Sequence, residues 1–287
     1  MAMTISMAHF HGLKKLAVPT QGNAGDSLCE YADAAGMSAV VAMPTNTPLP
    51  ILGRVAALAQ ASDRFHLKLV DGTIREAGEL LKKEWTPNGW FSVATFQEPG
   101  WRIEGKKTLG LELAEPEVPG QPWSLPDVVI YPTGGGTGVL GMWKAFSELE
   151  GLGLIGSKRP RIICIQSEAT CPLVHAFDND LEDTVPREAG LTLAYGLNVP
   201  GGVGHARVLQ IIRESGGMAL AVAEQDIERT LSRTWTDKRW WICPEGAACI
   251  AAIPALLDHG MIRRDDEVVV FNTGTLEKYL PELRHLL

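Results

Sequence analysis

Long hydrophobic runs are missing from this 287-residue chain, and no stretch approaches the ~20 apolar residues that a membrane span requires. Runs of Lys and Arg are missing too. With 26 basic residues against 34 acidic ones the formal net charge is −8, which argues against a nucleic-acid groove. Cysteine is scarce, and Cys29, Cys164, Cys171, Cys243 and Cys249 include no C-x-x-C pair. An odd count without that spacing predicts mostly reduced core thiols in a cytoplasmic protein. The first twelve residues lack the charged start and small-residue cleavage site of a signal peptide. H-E-x-x-H, G-x-S-x-G and G-K-[ST] are all absent, and the seven histidines are scattered, so the sequence offers no metal site. His9 and His11 sit near a turn and read as solvated, and Trp240-Trp241 as core or interface.

What is present is the composition of a globular protein, 45% apolar and 21% charged. Apolar strand-like runs alternate with helix-period segments. Strands are expected over residues 16–19, 38–43, 65–70 and 90–95, with helices over 24–35, 49–61 and 74–85. This is the order of a parallel sheet with covering helices. Three prolines within residues 116–122 mark a loop, beyond which the alternation restarts. Strands are expected at 128–131, 161–166, 218–222 and 268–271, with helices at 139–149, 206–214, 226–235 and 247–258. The fold class is α/β, with a smaller domain over 1–110 and a larger one over 111–287. In open parallel sheets the chemistry lies in loops after the carboxyl ends of the strands.

Three such loops stand out. Pro19-Thr20-Gln21-Gly22-Asn23-Ala24-Gly25 joins the first strand to its helix. Its glycines permit close approach to a ligand, and Asn23 offers a donor and an acceptor; a plain N-cap is the competing reading. Tyr131-Pro132-Thr133-Gly134-Gly135-Gly136-Thr137-Gly138 follows an apolar strand and leads into a helix. Four glycines with threonine hydroxyls and helix N–H groups suit a phosphate. Gly136-x-Gly138-x-x-Gly141 also matches the dinucleotide fingerprint, but Glu168 lies later than the ~20 residues at which that motif wants its acid. The third loop is Asn272-Thr273-Gly274-Thr275, where a hydroxyl can meet a ring nitrogen.

Together, Gln21-Gly22-Asn23, Thr133-Gly134-Gly135-Gly136-Thr137-Gly138 and Asn272-Thr273-Gly274 resemble pyridoxal-phosphate enzymes of the threonine synthase/tryptophan synthase β fold type, fold type II. Arg102-Ile103-Glu104-Gly105-Lys106-Lys107-Thr108 resembles the R-x-E-G-x-K-T block of the threonine synthase family, and Cys243-Pro244-Glu245-Gly246-Ala247-Ala248 its E-G-A-A block. The resemblance spans nearly the whole chain in the family's order. It implies pyridoxal 5'-phosphate as cofactor, with Asn23 on its phenolic oxygen. Gly134, Gly135, Gly136, Thr137 and Gly138 would hold its phosphate, and Thr273 would face its pyridine nitrogen. It further implies that Thr20, Gln21 and Gly22 cradle the carboxylate of a small amino-acid substrate. Arg102 would meet the phosphate of O-phospho-L-homoserine, against the plainer reading of a surface salt bridge. The implied reaction gives L-threonine and phosphate. Homodimers are frequent in the group.

The family's lysine both holds the cofactor as a Schiff base and acts as general base, within an S-F-K-x-R-G block. The helix that follows that block is expected here from Met1, which places the block and the family's N-terminal segment upstream of the given chain. Eleven lysines remain. Lys14 and Lys15 precede the first strand, Lys106 and Lys107 belong to the R-x-E-G-x-K-T helix, and no substitute stands out. Thr275-Leu276-Glu277 also departs from the family, where a second glycine is frequent. Four readings follow: a threonine synthase-type lyase, a truncated non-catalytic cofactor-binding homologue, a threonine or serine deaminase, and a nicotinamide-binding oxidoreductase.

Overall fold

Two parallel sheets of four strands organise the chain, as the alternation of apolar runs requires. The structure is a computed structural model that describes residues 1–96 and 99–283. One unit comprises Met1–Gly105 with Lys278–Glu282, and the other is built on Lys106–Glu277.

The first unit runs α1 (Ala2–Phe10), β1 (Lys15–Pro19), α2 (Asn23–Ala34), β2 (Ser38–Pro44), α3 (Leu49–Ala61), β3 (Phe65–Val70), α4 (Ile74–Glu84), β4 (Phe91–Ser92) and the start of α5 (Trp101–Ala114). Its sheet order is β3-β2-β1-β4, all parallel. Leu16, Ala17 and Val18 of β1 and the run from Ala39 to Met43 in β2 are fully buried, as continuous apolar strands covered on both faces should be. A capping box between Thr73 and Glu76 starts α4. The strand expected over 90–95 is only two residues long. β4 is an edge strand leaving a left-handed turn at Gly89, and Trp90 turns aside against Trp85, with ring centroids 5.0 Å apart.

The second unit contains β5 (Val128–Pro132), α6 (Thr137–Gly151), β6 (Arg161–Ser167), α7 (Pro172–Asp178), α8 (His205–Glu214), β7 (Met218–Val222), α9 (Glu224–Lys238), α10 (Pro244–Ala251), α11 (Ile253–Asp258) and β8 (Val268–Val270). Its sheet order is β7-β6-β5-β8, again parallel. The single helix expected over 247–258 is two helices. Pro254 has no N–H to donate to the carbonyl four residues back, and the helix breaks at Ala252. Cys29, Cys164, Cys243 and Cys249 are buried free thiols, while Cys171 is partly exposed.

Each sheet therefore has one edge from which strands run into helices. In the first unit β1 and β4 end side by side there, and in the second β5 and β8 do so.

Candidate functional site

The glycine-rich loop joins β5 to α6, and its four glycines are not equivalent. A Cβ on Gly134 would lie 2.2 Å from the Gly196 carbonyl oxygen, and one on Gly138 would lie 2.1 Å from the Tyr131 hydroxyl. Gly136 has φ +83°, and its Cβ would strike Val208 at 2.4 Å. Those three are demanded by the protein itself. Gly135 is not: its φ is not positive and nothing lies within 4 Å of where its Cβ would be. Open space over a helix N-terminus at the end of a buried strand is what a bound anion needs. Gly141, the last glycine of the dinucleotide-like match, has a packing role, since its Cβ would sit 2.5 Å from that of Lys106.

Two buried side chains aim the loop, and neither was singled out from the sequence. Gln166 on β6 donates from Nε2 to the Thr133 carbonyl at 3.1 Å, while its oxygen accepts the Leu173 N–H at 2.9 Å. His205, the first residue of α8 and fully buried, accepts the Gly202 N–H at Nδ1, so Nε2 carries the proton and donates to the Gly134 carbonyl at 2.8 Å. In a trans peptide the N–H points opposite to the carbonyl. With both carbonyls held inward, the Gly134 and Gly135 N–H groups face outward, and neither donates to another group among the described residues. The contacts span 33 and 71 residues, which is why local patterns did not show them.

Burial lowers the His205 pKa from the ordinary 6.5, opposed by the Gly134 bond and by nearby Asp183. The unfolded chain therefore binds the extra proton more readily. His205's contribution to stability is whole above about pH 6.5 and is lost as pH falls toward the depressed folded value. Denaturant unfolding at stepped pH should show His205→Gln less acid-sensitive than wild type, by at most ~1.4 kcal/mol per pH unit below that point. Parallel pH profiles would mean that burial does not hold His205 neutral.

On the neighbouring strand end, Asn272 accepts the Cys243 N–H at 3.0 Å and donates to the Gly274 carbonyl at 2.7 Å. Its side chain thus shapes the loop that carries Thr273, which is exposed, with its hydroxyl 3.8 Å from the Cys243 sulfur. Glycine is required at 246 because a Cβ there would meet the Asn272 amide oxygen at 2.4 Å. Glu245 is buried and accepts the Gly196 N–H at 2.8 Å, beside the same turn that crowds Gly134. The Cys243 thiol is pushed up to about 12, by burial first and by nearby Glu245 second, so it stays protonated at neutral pH. Gly134, Gly135, Gly136, Thr137, Gly138 and Thr273 thus share one strand-end edge.

Thr20, Gln21, Gly22, Asn23 and Arg102 lie in the first unit. The buried Thr20 hydroxyl accepts the Gly22 N–H at 3.1 Å, which tightens the turn, and Gln21 donates to Asn46 at 2.9 Å. Gly22 is the N-cap of α2 and Asn23 its first residue, so the plain capping role for Asn23 does not hold. Its side-chain oxygen instead accepts from Lys278 Nζ at 2.6 Å. Arg102, in the first turn of α5, reaches the Val93 carbonyl at 3.5 Å, just past the end of β4.

A family model described as pyridoxal-phosphate dependent enzyme matches residues 3–274. Threonine synthase of Methanosarcina acetivorans is 29% identical over 282 residues, covering 97% of this chain and 66% of its own length. Threonine synthase of Methanocaldococcus jannaschii is 27% identical over 277 residues, covering 96% of this chain and 65% of its own. The chain thus spans slightly less than two thirds of these relatives. An L-serine ammonia-lyase from Rhizomucor miehei has a TM-score of 0.77 at 17% identity, covering 98% of this chain and 86% of that one, and shares the fold.

Proposed function

The chain belongs to the family of pyridoxal-phosphate dependent enzymes, and from that premise we propose that it serves a lyase of the threonine synthase type, acting on O-phospho-L-homoserine and water to give L-threonine and phosphate. The open space over Gly135, with N–H groups turned outward by His205 and Gln166, is the observation that carries the reading. It fits the phosphate end of the cofactor. The match to a dinucleotide fingerprint carries less weight beside it, since Gly141 packs against Lys106 of α5 and not against a strand.

In this proposal Gly134, Gly135, Gly136, Thr137 and Gly138 hold the cofactor phosphate through backbone N–H and hydroxyl groups. Thr273 offers its hydroxyl to the ring nitrogen, and Asn23 its amide to the phenolic oxygen. The cofactor supplies an electron sink for carbanions when bound. Donors of the Thr20-Gln21-Gly22 loop take the substrate carboxylate. The Arg102 guanidinium takes the substrate phosphate, for which its planar fork is suited.

Titration with pyridoxal phosphate and separately with NAD tests the first half, and tighter binding of NAD would overturn it. For the second half, phosphate and threonine release from O-phospho-L-homoserine is compared with 2-oxo acid release from L-threonine or L-serine. Oxo-acid release alone makes the protein a deaminase. Cofactor binding with no turnover of any of the three leaves a binding protein of this family.

A further inference from the structure

Lys278 has no part in the reactions proposed above. It lies in a short 3-10 turn, Leu276–Tyr279, in which Leu276 and Tyr279 are buried, so the turn fixes the side on which Lys278 projects. Its ammonium reaches Asn23 across 255 residues of sequence. A lysine ammonium has three donors and no acceptor, so only the oxygen of an amide can receive it. The 2.6 Å contact therefore decides which way the Asn23 amide is turned. Its NH2 branch points away from Lys278, and it donates to no other group among the described residues. Gly22 caps α2 without a side chain, so Asn23 is not spent on its own helix.

We propose that Lys278 is a positioning residue that locks the Asn23 amide with its NH2 group toward an anionic oxygen of the ligand. On the reading above, which this inference rests on, that oxygen is the ring oxygen of pyridoxal phosphate. The lock does two things. It removes the flipped amide, which would present a carbonyl oxygen to an anion and repel it. It also brings a full positive charge beside the amide donors, which favours the ionised form of the ring hydroxyl, whose proton goes to solvent. Lys278 acts through Asn23, as an ammonium and without a covalent bond to the ligand.

The test uses the full chain with pyridoxal phosphate as the probe, and reads affinity and the absorption spectrum of the bound ring at one pH. Lys278→Met keeps the length and removes the donors. It should weaken binding roughly 3- to 10-fold, because the amide is no longer held in one orientation and the charge beside its donors is gone, and shift the spectrum toward the un-ionised ring. Lys278→Arg can still donate to the amide oxygen and should recover most of both. In an Asn23→Ala background the Lys278→Met change should add almost nothing, because the residue it acts through is gone. Thermal midpoints of the ligand-free variants report folding separately, and Lys278→Arg decides the matter if Lys278→Met is unstable. Wild-type binding with an unchanged Lys278→Met spectrum overturns this inference alone. So does a Lys278→Met effect that persists at full size without Asn23, or borohydride fixation of the cofactor on Lys278 itself. A wild-type chain that binds no pyridoxal phosphate removes the cofactor reading, and this inference with it.

Discussion

Gly135→Ala is expected to weaken pyridoxal phosphate binding about 10-fold or more while leaving the thermal midpoint of the ligand-free protein within about 3 °C of wild type. The reasoning is steric and electrostatic. Nothing in the protein lies within 4 Å of a Cβ at 135, and the backbone there is not in the left-handed region. A methyl group is therefore tolerated by the fold, and Gly→Ala at such a site even stabilises slightly by restricting the unfolded chain. The same methyl enters the space in front of the outward N–H groups, where the phosphate would sit. Gly136→Ala should behave in the opposite way. Its φ of +83° and the 2.4 Å approach to Val208 combine left-handed strain of ~1–2 kcal/mol with overpacking of ~1–3 kcal/mol. That is a loss of roughly 5–15 °C in thermal midpoint, visible without any ligand. If Gly135→Ala binds the cofactor as wild type does, the loop is not the phosphate site. If it unfolds like Gly136→Ala, the open space over residue 135 is filled by the protein in solution.

The pair also shows what the sequence could and could not reveal. The glycine loop was legible because its constraints are local: an apolar strand, four small residues and a helix start lie within eleven positions. The two sheets were legible for the same reason, since strands buried on both faces must be written as unbroken apolar runs such as the one from Ala39 to Met43. The side chains that aim the loops were hidden. His205 and Gln166 are ordinary residues in their own neighbourhoods and matter only because the fold brings them under the carbonyls of Gly134 and Thr133. Lys278 carries no local signal, since its partner Asn23 lies near the other end of the chain. The break before α11 is different, because Pro254 is a local signal within residues 247–258 and needs no distant partner to act.

Arg102→Ala is expected to lower kcat/KM for O-phospho-L-homoserine about 30- to 150-fold, the equivalent of ~2–3 kcal/mol for a charge-assisted contact to phosphate. Affinity for pyridoxal phosphate should stay within about 2-fold of wild type, because the residues proposed to hold the cofactor lie elsewhere. The position supports the role. Arg102 occupies the first turn of α5 and reaches the end of β4, the strand that pairs with β1, whose own end carries the Thr20-Gln21-Gly22-Asn23 loop. Arg102→Lys keeps the charge but not the planar fork, and should fall between wild type and Arg102→Ala. The decisive comparison is with an unphosphorylated amino acid. Turnover of L-threonine or L-serine, if present, should be nearly indifferent to residue 102. Equal losses on phosphorylated and unphosphorylated substrates would mean that Arg102 shapes the strand-end loops instead of reading a phosphate. Unchanged kinetics on O-phospho-L-homoserine would remove that substrate role and turn the balance toward a deaminase, with the cofactor and the fold untouched.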